Sequence, residues 1–422
     1  MAAVVAPNVV PALSRRRGWI LVAMATLTMA ISYFDRQTMS LLAPTVCEKL
    51  HISDSSYGDL TSAFSIAYLL ATPFAGRMLD KIGVRHGLLG AVIVWSMVSA
   101  AHALVPGFGT LFALRLALGV AESPSFPAGT QIVYRALPAA ERSRGIGVLF
   151  TGSSLGAMAT PFIATALYNW LGWRGAFAGS ALIGLVWIPL WFATAYARGA
   201  RAALDTPMRD GGLRIAPLTM LRHPAVLRAA AVVVASAPMI GFLLLWSSKM
   251  LVDSMHVRQE DVMRYLWVPP VLFDIGAVAF GDLATRQRRK QRASDDTPPR
   301  LLLGAALLLA AAIGAISLVH GPWPTVIVAG VAMAGGGGLF ALLTADMLAR
   351  VPPSAVSLCG GLTAAAQSVA YIIAGLIIGR VVDATHSYSY VLVGLAVWLF
   401  PGCLLWLIWK APPRYVEVVA AS

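Results

Sequence analysis

The chain has 422 residues, of which 58% are hydrophobic and 12% are charged. A soluble globular protein carries about 45–50% apolar and about 25% charged residues. So few charges cannot cover a water-exposed surface, which excludes soluble, disordered and nucleic-acid-binding proteins even though the net charge is +13. The composition therefore predicts a polytopic membrane protein.

Apolar stretches long enough to cross a hydrocarbon layer of about 30 Å recur along the whole chain. Their predicted cores lie at residues 18–42, 58–77, 87–105, 111–134, 145–167, 175–196, 228–251, 264–284, 301–319, 324–349, 356–381 and 389–410. These twelve spans predict an all-α membrane protein.

The basic residues are distributed unequally between the two sides of the predicted membrane. An even number of spans puts both termini on one side, and the loops of that side hold 24 of the 32 Lys and Arg residues. The positive-inside rule therefore predicts cytoplasmic termini in a cell (inner) membrane. Four cations lie within or at the edge of spans: Arg36, Arg115, Lys249 and Arg380.

The two halves of the sequence resemble each other. A glycine and arginine pattern beginning at Gly76 closes span 2, and a related pattern beginning at Gly281 closes span 8. This repetition predicts two six-helix bundles. The predicted parts are a cytoplasmic tail at 1–17, bundles at 18–196 and 228–410 joined by a cytoplasmic linker at 197–227, and a second cytoplasmic tail at 411–422.

The loop between spans 2 and 3 carries Gly76, Asp80, Gly83 and Arg85. The glycines are expected to permit close helix approach and a tight turn, and the charged residues to bond neighbouring helix ends. A solvated loop that fixes topology by its positive charge is the alternative. The motif and the six-plus-six organisation resemble the major facilitator superfamily, which implies that superfamily's fold and a gating loop at this position.

Two predicted spans carry acids and arginines inside apolar sequence. Asp35 lies sixteen residues after Trp19, roughly 24 Å along a helix. Arg115 and Glu122 are seven residues apart and share a helix face, but about 10 Å separates them. Charges within a membrane are costly and usually functional. Pairing between spans 1 and 4 is favoured over a local Asp-Arg pair or a bridge along one helix.

These residues also resemble a particular branch of the superfamily. Tyr33-Phe-Asp-Arg36, Tyr68 and the segment from Arg115 to Glu122-Ser-Pro are similar to the anion:cation symporters, which include bacterial hexuronate and galactonate transporters. The resemblance implies that Asp35 and Glu122 titrate protons and that Arg115 balances their charge. It also implies a substrate site formed by Tyr33, Arg36, Tyr68, Ser153, Ser154 and Gln367.

Lys249 near the outer end of span 7 allows two interpretations. It either extends to the membrane interface or binds a substrate carboxylate, with the indole of Trp246 one turn earlier stacking on a sugar ring. Asp274 in span 8 is expected to balance charge, either by pairing with Lys249 or through a neighbouring helix.

The expected function is proton-coupled import of a small organic anion, such as a hexuronate or an aldonate, by a monomer that alternates its access. We expect no enzymatic activity, cofactor, metal or nucleic acid; the partners are the substrate, protons and the lipid bilayer. Sodium coupling and a monocarboxylate or aromatic acid substrate remain alternatives. A drug exporter is less favoured because span 5 lacks the Gly-Pro signature of antiporters. A non-transporting sensor is less favoured because it would not need the titrating acids within the spans.

Overall fold

The computed structural model describes residues 13–205, 217–290, 298–352 and 355–413. Parts of the predicted tails, of the linker and of the loop at 286–300 lie outside these ranges. Within them the regular structure is helical. The α-helices, in chain order, are α1 Arg15–Leu50, α2 Asp54–Ile82, α3 Val84–Ala101, α4 Phe108–Glu122, α5 Ser125–Ala136, α6 Ala139–Ala195, α7 Arg198–Asp205, α8 Pro217–Leu221, α9 Pro224–Leu245, α10 Ser247–Met255, α11 Met263–Leu266, α12 Val268–Lys290, α13 Arg300–Ala311, α14 Pro322–Leu348, α15 Val356–Thr385 and α16 Ser389–Ile408.

The helices account for the twelve predicted spans, with two differences in detail. In the described part of the chain, nine helical segments are long and apolar enough to cross a membrane. One of these segments, α6, contains predicted spans 5 and 6. They meet at a kink at Gly172, where φ is 70°. Predicted span 4 is broken between α4 and α5, since Pro124 has no amide proton to continue the helix. Counting the two halves of α6 separately and adding the α4–α5 segment and α2 gives twelve crossing segments in the described chain, as predicted.

The chain folds as two compact units. The first contains the described parts of Met1–Thr38, Ala67–Thr160 and Ala166–Asp210. Within it, α6 packs against α1 with the two backbones in contact. A Cβ atom at Gly152 would overlap the carbonyl oxygen of Thr26, and one at Gly156 would overlap that of Ala30. This close approach fixes the height and rotation of α1 against α6.

The second unit contains the described parts of Met39–Ile66, Pro161–Thr165 and Gly211–Ser422. The end of α1 and the beginning of α2 therefore pack with the later helices. The Asp383 carboxylate on α15 accepts hydrogen bonds from the backbone amides of Asp54 (2.9 Å) and Ser55 (2.8 Å). These amides belong to the first turn of α2, where no intrahelical acceptor exists, so α15 caps α2.

The contact between α6 and α1 predicts opposite effects for two glycine substitutions on α6. Gly147→Ala adds a methyl group where nothing lies within 4 Å, and alanine favours a helix over glycine by about 1 kcal/mol. Gly152→Ala forces the helices apart, at a cost of about 1–3 kcal/mol. In detergent, Gly152→Ala should lower the melting temperature and Gly147→Ala should not. Equal melting temperatures would contradict the predicted contact.

Candidate functional site

A buried ion pair joins α1 to α4 within the first unit. The Nε atom of Arg36 lies 2.6 Å from Oε2 of Glu122, which is completely buried, whereas the Arg36 side chain is 15% exposed. The hydroxyl of Ser32, one turn earlier on α1, donates a hydrogen bond of 2.8 Å to the same oxygen. Glu122 is therefore held from α1 by two donors.

Two tyrosine rings flank the same guanidinium. The Cζ atom of Arg36 lies 4.9 Å from the ring centroid of Tyr33 and 4.5 Å from that of Tyr68. At these distances the aromatic faces attract the cation, and both tyrosines are half-buried. The rings therefore hold the guanidinium in position from two sides without neutralising its charge.

Asp35 and Arg115 place a second acid and a second base in the interior of the first unit, with 3% and 4% exposure. Among the described residues, neither carboxylate oxygen of Asp35 has a hydrogen bond that satisfies standard geometry. The hydroxyls of Ser99 and Ser180 lie beside the carboxylate, and Arg115 acts on it electrostatically. With Arg36 and Glu122, these four groups carry no net charge when both acids are ionised.

The predicted serines lie on the segment of α6 that packs against α1. Ser153 donates a hydrogen bond to the carbonyl of Phe150 (2.7 Å), and both Ser153 and Ser154 are half-buried. Because Gly152 and Gly156 bring this segment against α1, the serines occupy the same unit as the ion pair.

The ammonium group of Lys249, in the second unit, forms salt bridges with two acids. Its Nζ atom lies 2.7 Å from Oδ1 of Asp54 and 2.7 Å from Oδ2 of Asp253. The residue is 8% exposed, so its ammonium group does not extend to solvent. Asp274 is half-buried on α12, and its role in charge balance stays a prediction.

Trp246 and Gln367 also lie in the second unit. Trp246 is 1% exposed and packs edge-to-face on Tyr57, with 4.8 Å between the ring centroids. The indole therefore offers no face for the expected stacking on a sugar in this conformation. Gln367 donates a hydrogen bond of 2.9 Å to the hydroxyl of Tyr371, one turn later on α15.

In the predicted gating loop, two residues form side-chain hydrogen bonds and one glycine makes a turn. Gly83 has φ 82° and connects α2 to α3, as the expected tight turn requires. Arg85 donates two hydrogen bonds to Asp205 on α7, at 3.0 and 2.6 Å. Asp80 accepts one of 2.8 Å from Gln131. Among the described residues, no neighbouring helix comes within 4 Å of a Cβ at Gly76, so the expected close helix approach there is wrong.

Sequence reasoning missed several partners of these residues. Ser32 could have been found, since it lies one helical turn before Arg36 and therefore on the same side of α1. Asp54 and Asp253 lie outside the predicted apolar cores. Acids are common in such polar segments and do not by themselves indicate a partner for Lys249. Asp205 lies in the linker, and nothing in that polar stretch indicates a partner for Arg85.

Twelve crossing segments, two of which are joined by a buried ion pair, define a multi-pass membrane protein. Residues 25–295 match the family model described as Major Facilitator Superfamily. The chain belongs to this superfamily and is a transporter, not an enzyme.

Similar proteins include three named bacterial transporters. The hexuronate transporter of Escherichia coli (strain K12) is 25% identical over 417 residues, which cover 95% of each chain. The galacturonate transporter of Dickeya chrysanthemi is 26% identical over 276 residues, 62% of this chain and 80% of that protein. The probable L-galactonate transporter of Escherichia coli (strain K12) is 31% identical over 162 residues, 38% of this chain and 36% of that protein.

Solved structures support the fold. A bacterial homolog of the human lysosomal transporter Spinster, in an inward-facing and unoccupied conformation, superposes with a TM-score of 0.78 at 16% identity. The match covers 93% of this chain and 97% of that one. This likeness confirms the major facilitator fold.

The Arg36–Glu122 pair predicts a non-additive effect on stability. Arg36→Met leaves Glu122 buried without its cation, which costs about 3–5 kcal/mol. Changing both residues to Met removes the stranded charge and should restore most of the melting temperature lost by Arg36→Met. Arg264→Met, which breaks an exposed pair with Asp261, is the control and should cost about 0–1 kcal/mol. If the double substitution lost as much stability as Arg36→Met and Glu122→Met added together, the pairing would be contradicted.

Proposed function

We propose that this protein imports a sugar acid, such as a hexuronate or an aldonate, together with protons. The observation that carries the proposal is the guanidinium of Arg36, whose side chain is 15% exposed, bound to a buried carboxylate and flanked by two tyrosines. The names of the similar bacterial proteins, which are hexuronate, galacturonate and galactonate transporters, support the same substrate class.

Competition for Arg36 couples the substrate to a proton. A sugar carboxylate that binds the guanidinium takes the place of Glu122 as its counter-ion. Glu122 then lies fully buried without a cation, and burial disfavours an ionised carboxyl group. It therefore takes up a proton, and loses it again when the substrate leaves and the Arg36 pair re-forms.

The remaining predicted residues would recognise the sugar itself. The rings of Tyr33 and Tyr68 can pack on its carbon skeleton, and Ser153 and Ser154 can bond its hydroxyl groups. Gln367 stays a ligand predicted from the sequence resemblance. Trp246 and Lys249 enter this role only in a conformation that releases Lys249 from Asp54 and Asp253. We assign Asp274 to charge balance.

Asp35 provides for a second proton, and Arg115 offsets its charge. One proton with a monoanion moves no net charge, so the membrane potential would contribute nothing. Two protons move one positive charge inward, and 100 mV then supplies about 2.3 kcal/mol, which accumulates the substrate roughly fiftyfold. The two buried acids favour electrogenic transport.

Alternating access would expose this site to each side of the membrane in turn. We place both termini in the cytoplasm, because the loops on that side hold 24 of the 32 cations. The loop with Asp80, Gly83 and Arg85 then lies at the cytoplasmic face as a gating loop. The functional unit is a monomer.

Purified protein in liposomes should accumulate a hexuronate when the outside is acidic, and accumulate more when valinomycin and a potassium gradient make the inside negative. Galacturonate and galactonate are the first substrates to compare, with benzoate and lactate as non-sugar acids. Uptake that requires a sodium gradient at constant pH would contradict proton coupling. Uptake that ignores the potential would contradict a two-proton cycle.

Glu122→Gln should abolish proton-driven accumulation and leave counterflow exchange of labelled substrate measurable. The amide cannot titrate, but it keeps the shape of the site and leaves Arg36 available to the anion. Asp282→Asn, which changes an exposed acid paired with Arg286 on α12, is the matched control and should accumulate normally. Unchanged accumulation by Glu122→Gln would remove Glu122 from the coupling role.

A further inference from the structure

An apolar groove runs between α9 and α16 on the surface of the second unit. It encloses about 450 Å³, and its lining consists of Ala, Val, Leu, Pro, Gly and Trp residues. Val234, Trp398 and Leu405 line it and are 36–51% exposed. Exposed apolar residues on membrane-crossing helices face the lipid phase, so the groove is an indentation in the lipid-facing surface.

Small residues create this groove. A Cβ atom at Gly402 would overlap the carbonyl oxygen of Ala231, so α9 and α16 touch through their backbones along the groove floor. Trp398 donates its indole N–H to the carbonyl of Val234 (3.0 Å) and thereby joins the two helices at one wall. The groove is therefore built into the helix packing.

The length of the groove along α9 is close to the thickness of the hydrocarbon layer of one leaflet. Its residues on α9 extend from Leu227 to Ala235, eight steps of 1.5 Å or about 12 Å. Half of a hydrocarbon layer of about 30 Å is about 15 Å. A stable protein interface buries about 1,200–2,000 Å², which a groove of this length cannot supply, so a single acyl chain fits it better than a second copy.

Cations collect at one end of the groove. Arg222 lies two residues before α9, and Lys410 follows Trp409, which lines the groove; both cations are exposed. No Asp or Glu occurs in residues 211–252 or 384–416. Tryptophan is enriched where membrane meets water, so Trp409 marks this end as interfacial. The charge at this level suits a phosphate group.

We propose that the groove binds one acyl chain of an anionic phospholipid, with the lipid phosphate lying against Arg222 and Lys410. The apolar wall selects a hydrocarbon chain, and the two cations select the headgroup. The site is separate from the ion pair of the first unit. On the proposed orientation it belongs to the cytoplasmic leaflet.

Native mass spectrometry of the full chain with added lipids tests this site. Phosphatidylglycerol should form a one-to-one complex at roughly 25-fold lower concentration than phosphatidylcholine with the same acyl chains, at about fivefold for each cation. Equal retention of the two lipids by the unaltered protein would overturn the proposal.

Two sets of variants separate the headgroup from the acyl chain. Arg222→Gln with Lys410→Gln should remove the preference for phosphatidylglycerol and weaken its binding more than that of phosphatidylcholine, whose choline cation offsets its phosphate. The control, Arg289→Gln with Lys290→Gln, changes two exposed cations at the end of α12 and should keep the preference.

Ala230→Leu fills the groove and should weaken retention of both lipids. Ala305→Leu, at an exposed position on α13, should not. Unchanged lipid retention by Ala230→Leu would overturn the proposal. So would a dimer of the unaltered protein that Ala230→Leu dissociates, because a second copy would then occupy the groove.

Discussion

The ion pair between Arg36 and Glu122 is the interaction on which the candidate site depends. Each charge would cost several kcal/mol if it were buried alone, and the pair is tolerable only while the two groups stay together with their additional hydrogen bonds. The tight packing of α6 on α1 holds Arg36 in place, and the end of α4 holds Glu122. Separating the two groups would therefore leave a buried charge without compensation on each of them.

The fold was predictable from the sequence because length and apolarity suffice to identify a membrane-crossing helix. The same scarcity of charge made Asp35, Arg36, Arg115 and Glu122 conspicuous. What pattern alone could not decide was which base binds which acid, since that depends on helix rotation. Ser32, which completes the Glu122 contact, could be found only through its spacing, one helical turn before Arg36.

The prediction of Lys249 as a substrate ligand shows a different limit. A lysine within an apolar span looks unpaired when only the apolar cores are searched for partners. Asp54 and Asp253 lie just beyond those cores, yet both reach its ammonium group. Asp205 is a similar case, because a short helix in the linker brings it to Arg85. Ionic partners of membrane helices are therefore best sought at the helix ends.

The cap that Asp383 places on α2 has a consequence for how sequence variation acts on this protein. The acceptor is a side chain, but both donors are backbone amides, of Asp54 and Ser55. Every residue type except proline supplies such an amide. Substitutions at positions 54 and 55 can therefore alter their other contacts while leaving this bond intact. The strength of this cap therefore depends on the residue at position 383 more than on the residues at positions 54 and 55.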